Sequence, residues 1–91
     1  MKPQIELGDT VKFPKYLTKT KNYPKVNLGL VVEIDGGYYN IQPTGCWWMA
    51  EFYHDELTHI SRWGGTKKQL KEYCGKFRKF YKYMINSEGN I

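Results

Sequence analysis

Along residues 8–60 polar and apolar positions alternate in short runs closed by glycine, proline or aspartate, a pattern that predicts strands of an antiparallel sheet. Asp9-Thr10-Val11-Lys12-Phe13 places Val11 and Phe13 on one face, and Pro14 ends regular pairing. Leu28 to Ile34 is the strongest strand, with Leu30, Val32 and Ile34 on one face. Asp35-Gly36-Gly37 reads as a hairpin turn, because glycine accepts the positive φ that tight turns require. The return strand runs from Tyr38 to Gln42 and is closed by Pro43-Thr44-Gly45. From Trp47 to Tyr53 the alternation points Trp48, Ala50 and Phe52 inward and Trp47, Met49, Glu51 and Tyr53 outward. His54-Asp55-Glu56 predicts a single 3₁₀ turn, and Leu57-Thr58-His59-Ile60 a short last strand.

After Gly64-Gly65 the period changes. Thr66-Lys67-Lys68-Gln69 is a capping box, in which Thr66 and Gln69 satisfy free amides at a helix start. Leu70, Tyr73, Cys74, Phe77, Phe80, Tyr81 and Met84 follow at helical spacing and form one apolar stripe. Such a stripe must be covered. Trp47, Met49 and Tyr53 on the outward face of their strand form the expected landing site for Leu70, Phe77 and Phe80.

Charge changes the picture of that helix. Between Lys67 and Lys82 stand seven basic residues and one acid, Glu72, a surplus of +6. Residues 1–66 carry seven bases and seven acids, so a neutral body bears a basic appendage. Solvation accounts for some of these lysines, but like charges at i, i+3 and i+4 destabilise a helix and exceed what solubility requires. The imbalance is an electrostatic footprint for a polyanion. Residues 14–27 add a long basic connection with Lys15, Lys19, Lys21 and Lys25.

Gly8-Asp9-Thr10-Val11-Lys12-Phe13 resembles the GDxV opening strand of SH3-like barrels of the KOW and Tudor type. Gly29-Leu30-Val31-Val32-Glu33-Ile34 resembles their GxVxxI second strand, and Phe52-Tyr53-His54-Asp55-Glu56-Leu57 their closing corner. The resemblance covers residues 6–60 and implies a five-stranded SH3-like barrel acting as a binding module. Its family ligands include RNA, DNA, ribosomal or polymerase partners, proline-rich peptides and methylated side chains. The expected fold is mainly β with a C-terminal α-helix (α+β). Residues 1–63 form the barrel, and residues 64–91 a Gly-Gly hinge and a basic amphipathic helix packed on it, all in one compact domain.

Candidate chemistry narrows the reading. No G-x-S-x-G, phosphate-binding glycine loop or spaced carboxylate pair is present, so no enzyme is expected. Cys46 and Cys74 are expected as reduced thiols. Cys46, His54 and His59 match no zinc spacing, and neither a metal nor a cofactor is expected. No apolar segment follows Met1-Lys2-Pro3-Gln4 and no long apolar run occurs, so no membrane association is expected and a cytoplasmic location is.

The sequence therefore predicts a small nucleic-acid-binding protein of weak sequence specificity. Lys68, Lys71, Arg78, Lys79 and Lys82 would meet phosphates, joined by Lys19 and Lys21 of the loop. Most aromatics are needed for the core. Tyr39 and Trp63 are the candidates for a stacking platform, which slightly favours RNA or single strands over duplex DNA. The alternative is a protein-interaction module whose lysines steer it to an acidic protein surface. Small basic proteins of this kind are frequent in phage genomes, where many modulate or inhibit a host protein. A monomer or weak homodimer is expected.

Overall fold

The alternating segments build five strands, and the computed structural model describes residues 4–15 and 26–89, with side chains to residue 87. The strands are β1 (Thr10–Lys12), β2 (Leu28–Asp35), β3 (Tyr38–Pro43), β4 (Ala50–Tyr53) and β5 (Thr58–Ser61), followed by helix α1 (Lys67–Gly89). They form one antiparallel sheet in the order β4-β3-β2-β1-β5, curled into a half-barrel. This is the expected mainly-β fold with a C-terminal helix.

Local chemistry explains the joints. Gly36 takes a φ of 61° in the β2–β3 hairpin, a conformation the glycine pair supplies without strain. Between β4 and β5, His54–Glu56 forms a 3₁₀ turn whose start is held by Tyr53 N–H donating to Glu56 Oε1 at 3.0 Å. β4 begins at Ala50 rather than Trp47 because the preceding residues turn: Cys46 N–H donates to Pro43 O, and Gln42 Nε2 to Cys46 O.

The curled sheet encloses one core of Ile5, Val11, Phe13, Val31, Ile41, Phe52 and Leu57, with Ala50 and Tyr39 packed against it. The Phe13 and Phe52 rings stack at 5.5 Å. A second core lies on the outer face, where Val32 meets Leu70, Cys74 and Phe77 of α1, flanked by Leu30, Met49, Trp63 and Tyr81.

β2 serves both cores by simple alternation, with Val31 pointing into the barrel and Val32 toward the helix. A bulge between Val31 and Glu33 then shifts the register, so that Ile34 pairs with Tyr39, which packs on the barrel core. The expected single face of Leu30, Val32 and Ile34 stops there, since Ile34 lies past the bulge and is 41% exposed.

Candidate nucleic-acid interface

The capping box forms as the sequence requires. Thr66 N–H donates to Gln69 Oε1 at 3.0 Å, and Gln69 N–H to Thr66 Oγ1 at 3.1 Å. Trp63 Nε1 donates to Thr66 O at 3.0 Å, which ties the Gly64-Gly65 link to the helix start.

From this start α1 lies on the sheet through Leu70, Cys74 and Phe77. Gly8 makes the approach possible: a Cβ there would stand 2.7 Å from Leu70 Cδ2, and its φ of 88° suits glycine. One edge of α1 is tied by Arg78 Nη1 to Glu33 Oε2 at 3.3 Å. The other edge is tied by the Tyr73 hydroxyl donating to Gln42 Oε1. Further along, Trp47 packs on Phe80 and Tyr81 with ring centroids at 6.5 and 6.2 Å.

Docking fixes which flank faces water. At 100° per residue, Lys68, Lys71, Arg78, Lys79 and Lys82 fall within an arc of about 100°, and all five are exposed. None of the helix lysines takes part in an ion pair among the described residues. The first turn of α1 holds no acid, although acids are what the positive end of a helix dipole favours. Two grooves border the flank. One of about 470 Å³ lies among Glu33, Met49, Arg78, Lys79 and Lys82. The other, about 760 Å³, has Ile34 and Leu70 in its lining and Lys67, Lys68 and Lys71 along it.

This geometry places several of the expected residues in structural contacts. Arg78 pairs with Glu33 at 3.3 Å and ties the helix to β2, so its guanidinium already has a carboxylate partner. Tyr53 does not receive the helix. It is instead 55% exposed and pairs with Tyr38, hydroxyl to hydroxyl at 3.0 Å. Tyr39 and Trp63 do not form a platform. Tyr39 packs against the barrel core and His54, and Trp63 against the second core and Tyr73. Trp47, Met49, Leu70 and Phe77 lie at the helix–sheet seam, with Phe80 on its exposed margin. Lys19 and Lys21 lie outside the described residues.

Two features escaped the sequence reading. Between Val26 and Leu57 there is no lysine or arginine, and five acids stand there: Glu33, Asp35, Glu51, Asp55 and Glu56. Glu33, Asn40 and Glu51 form one row across β2, β3 and β4, and Asp35, Tyr38 and Tyr53 the next. An acidic half-sheet thus lies beside the basic helix and meets it at the Arg78–Glu33 bridge. The Tyr53 hydroxyl is pushed above the ordinary tyrosine value, first by its hydrogen bond with Tyr38, then by the negative charge of Tyr38, Glu51 and Glu56.

The second feature is a buried carboxylate. Asp9 is 1% exposed and its Oδ2 accepts from Arg62 Nη1 at 2.7 Å and from Glu6 N–H at 2.8 Å. Arg62 also reaches Glu6 at 2.9 Å, and His59 Nε2 lies 3.3 Å from Asp9 without forming a hydrogen bond. This cluster clamps the segment before β1 to the end of β5. Asp9 is the aspartate of the Gly8-Asp9 motif, and its partner Arg62 lies too far along the chain for spacing to reveal it.

Cys46 and Cys74 are free, and burial pushes both thiols up, away from the reactive thiolate. His54 Nδ1 lies 3.9 Å from the exposed Asp55. Among the described residues no group of three or more His, Cys, Asp or Glu could hold a metal ion, and no helix is long and apolar enough to cross a membrane. Comparison with known proteins gives no match to a family model, to a curated protein or to a solved structure.

Proposed function

We propose that the chain is a small non-enzymatic nucleic-acid-binding protein that meets phosphates with the basic flank of α1. The observation that carries this reading is the row of exposed helix lysines, without ion pairs among the described residues, on a helix held in place by its apolar face and by Arg78. Lysine is a point charge without the planar fork of arginine, so contacts are to backbone phosphates and sequence specificity is weak. From Lys68 to Lys82 the flank runs about 21 Å at 1.5 Å per residue. That matches about six nucleotides of one strand at 3.4 Å each.

Support for RNA or single strands comes from Tyr83. It is 67% exposed, one turn beyond Lys79 and adjacent to Lys82, where an unpaired base can stack beside a held phosphate. The strand order and the 3₁₀ corner support kinship with SH3-like barrels of the KOW and Tudor type, and a cytoplasmic site of action fits this reading. A second reading is a protein-interaction module, such as a phage-type modulator of a host protein. The exposed Tyr38–Tyr53 pair favours it, because paired surface aromatics are suited to protein contacts.

The test is a titration of the chain against single- and double-stranded RNA and DNA across a salt series, beside Lys71→Glu/Lys79→Glu/Lys82→Glu. Arg78 is left intact to keep the helix docked. Binding should fall with salt by about 0.9 log units per log unit for each phosphate contact on duplex DNA and about 0.7 on single strands. The triple variant should lose it. Tyr83→Ala should weaken single-strand binding by about 1–3 kcal/mol and leave duplex binding in place. No binding at low salt removes the reading.

A further inference from the structure

We propose that the chain pairs with a second copy of itself, each laying the basic flank of α1 on the acidic sheet face of the other. α1 covers only part of the outer face. The strip beyond it carries Glu33 and Glu51 in one row and Tyr38 and Tyr53 in the next. This strip belongs to a stretch with five acids and no lysine or arginine, whereas residues 67–82 carry +6. One chain therefore presents both halves of a complementary surface.

Their arrangement selects the symmetry. The two patches meet at the Arg78–Glu33 bridge, where the groove of about 470 Å³ opens beside Lys79 and Lys82. A two-fold axis near that bridge sets each basic flank over the other copy's acidic strip in a single docking. Such an interface is self-complementary and closes as a dimer rather than growing into a fibre. The exposed Tyr38–Tyr53 pair supplies an aromatic anchor at the outer end of the strip, and the groove beside Lys79 offers it a seat. Charge complementarity fixes partner and register and makes the association salt-sensitive. The proposal does not rest on nucleic-acid binding, but the dimer would cover the same lysines, so a bound polyanion competes with it.

Sedimentation velocity of the full chain, with no nucleic acid present, tests this. A dimer is expected at low salt, giving way to monomer as the screening length shortens from about 10 Å at 0.1 M to about 3 Å at 1 M. Asp35→Lys/Glu51→Lys makes both patches positive, and Lys79→Glu/Lys82→Glu makes the flank far less positive against an acidic strip. Each variant alone should be monomeric. All four positions are exposed, and circular dichroism checks that both variants keep the fold. An equimolar mixture of the two should regain the dimer, because at positions 35, 51, 79 and 82 each chain then faces side chains of opposite sign on the other. A wild-type chain that stays monomeric at low salt overturns the proposal. So does a dimer indifferent to both reversals, or a mixture that fails to associate.

Discussion

The barrel interior and the helix–sheet seam are built from neighbouring residues of one strand, Val31 and Val32, yet they are closed in different ways. The interior is sealed: Val11, Val31 and Ile41 have no exposed surface, and Phe13 and Phe52 stack across it. At the seam Leu70 and Phe77 keep 9% and 7% of their surface. Polar ties complete it, with Arg78 on Glu33 along one edge and Tyr73 on Gln42 along the other. Apolar burial fills the barrel, and the buried Asp9–Arg62 pair clamps its first segment to the end of β5. The seam needs directional contacts as well, and these set the rotation of α1 and hence the direction in which its lysines point.

The largest break in this comparison is expected at Phe52, whose ring fills the interior against Phe13. Phe52→Ala should cost about 3–5 kcal/mol from lost burial and the cavity left behind. That is a large share of the stability of a domain this size. Denaturant unfolding should show a much lower midpoint, with barrel and helix signals lost together.

Gly8 probes the seam. Gly8→Val places side-chain atoms where Leu70 Cδ2 already lies within 2.7 Å of a Cβ, at a φ that β-branched residues avoid. Overpacking of this kind costs about 1–3 kcal/mol. The expected outcome is a loosened helix over a persistent barrel. Amide exchange should accelerate through Leu70–Phe77 and change less in β2 and β3. Equal acceleration in both regions would mean that the two cores unfold as one unit.

The barrel was the more legible region because its signals are local. Val11 and Phe13, Asp35-Gly36-Gly37, and Ala50 with Phe52 each state a strand or turn within a few residues, and Thr66 with Gln69 states the helix start. What escaped depends on packing between distant segments. The bulge at Val32 breaks the alternation that would keep Ile34 on one face with Leu30 and Val32, and no residue there announces it. Tyr53 shares parity with Met49, but parity does not say where along the strand a helix will cross. The acidic half-sheet was hidden by arithmetic. A charge sum over residues 1–66 cancels the lysines of residues 2–25 against acids of residues 33–56, although they occupy separate stretches of chain. The basic flank itself was readable as a count, while the diversion of Arg78 to Glu33 required the fold.

The finest contrast concerns the uncovered part of the outer face, where a tyrosine senses the acidic surface directly. The Tyr53 phenol shares a hydrogen bond with Tyr38 and sits among Glu51 and Glu56, and all of these disfavour its ionised form. A tyrosine raised above its unfolded value keeps its proton longer in the folded chain. Any stabilisation it gives is complete below the ordinary value near pH 10 and is lost as the pH rises through the folded value. Carbon-13 NMR of labelled tyrosine should find Tyr53 titrating above the ordinary range. Tyr38→Phe should bring it most of the way back, because the hydrogen bond is the largest cause, while Glu51→Gln should move it less. If Glu51→Gln moves it more, the acidic field outweighs the hydrogen bond on this face. If neither variant moves it, the two hydroxyls are not bonded in solution, and the paired aromatic surface that the half-sheet presents is lost with that bond.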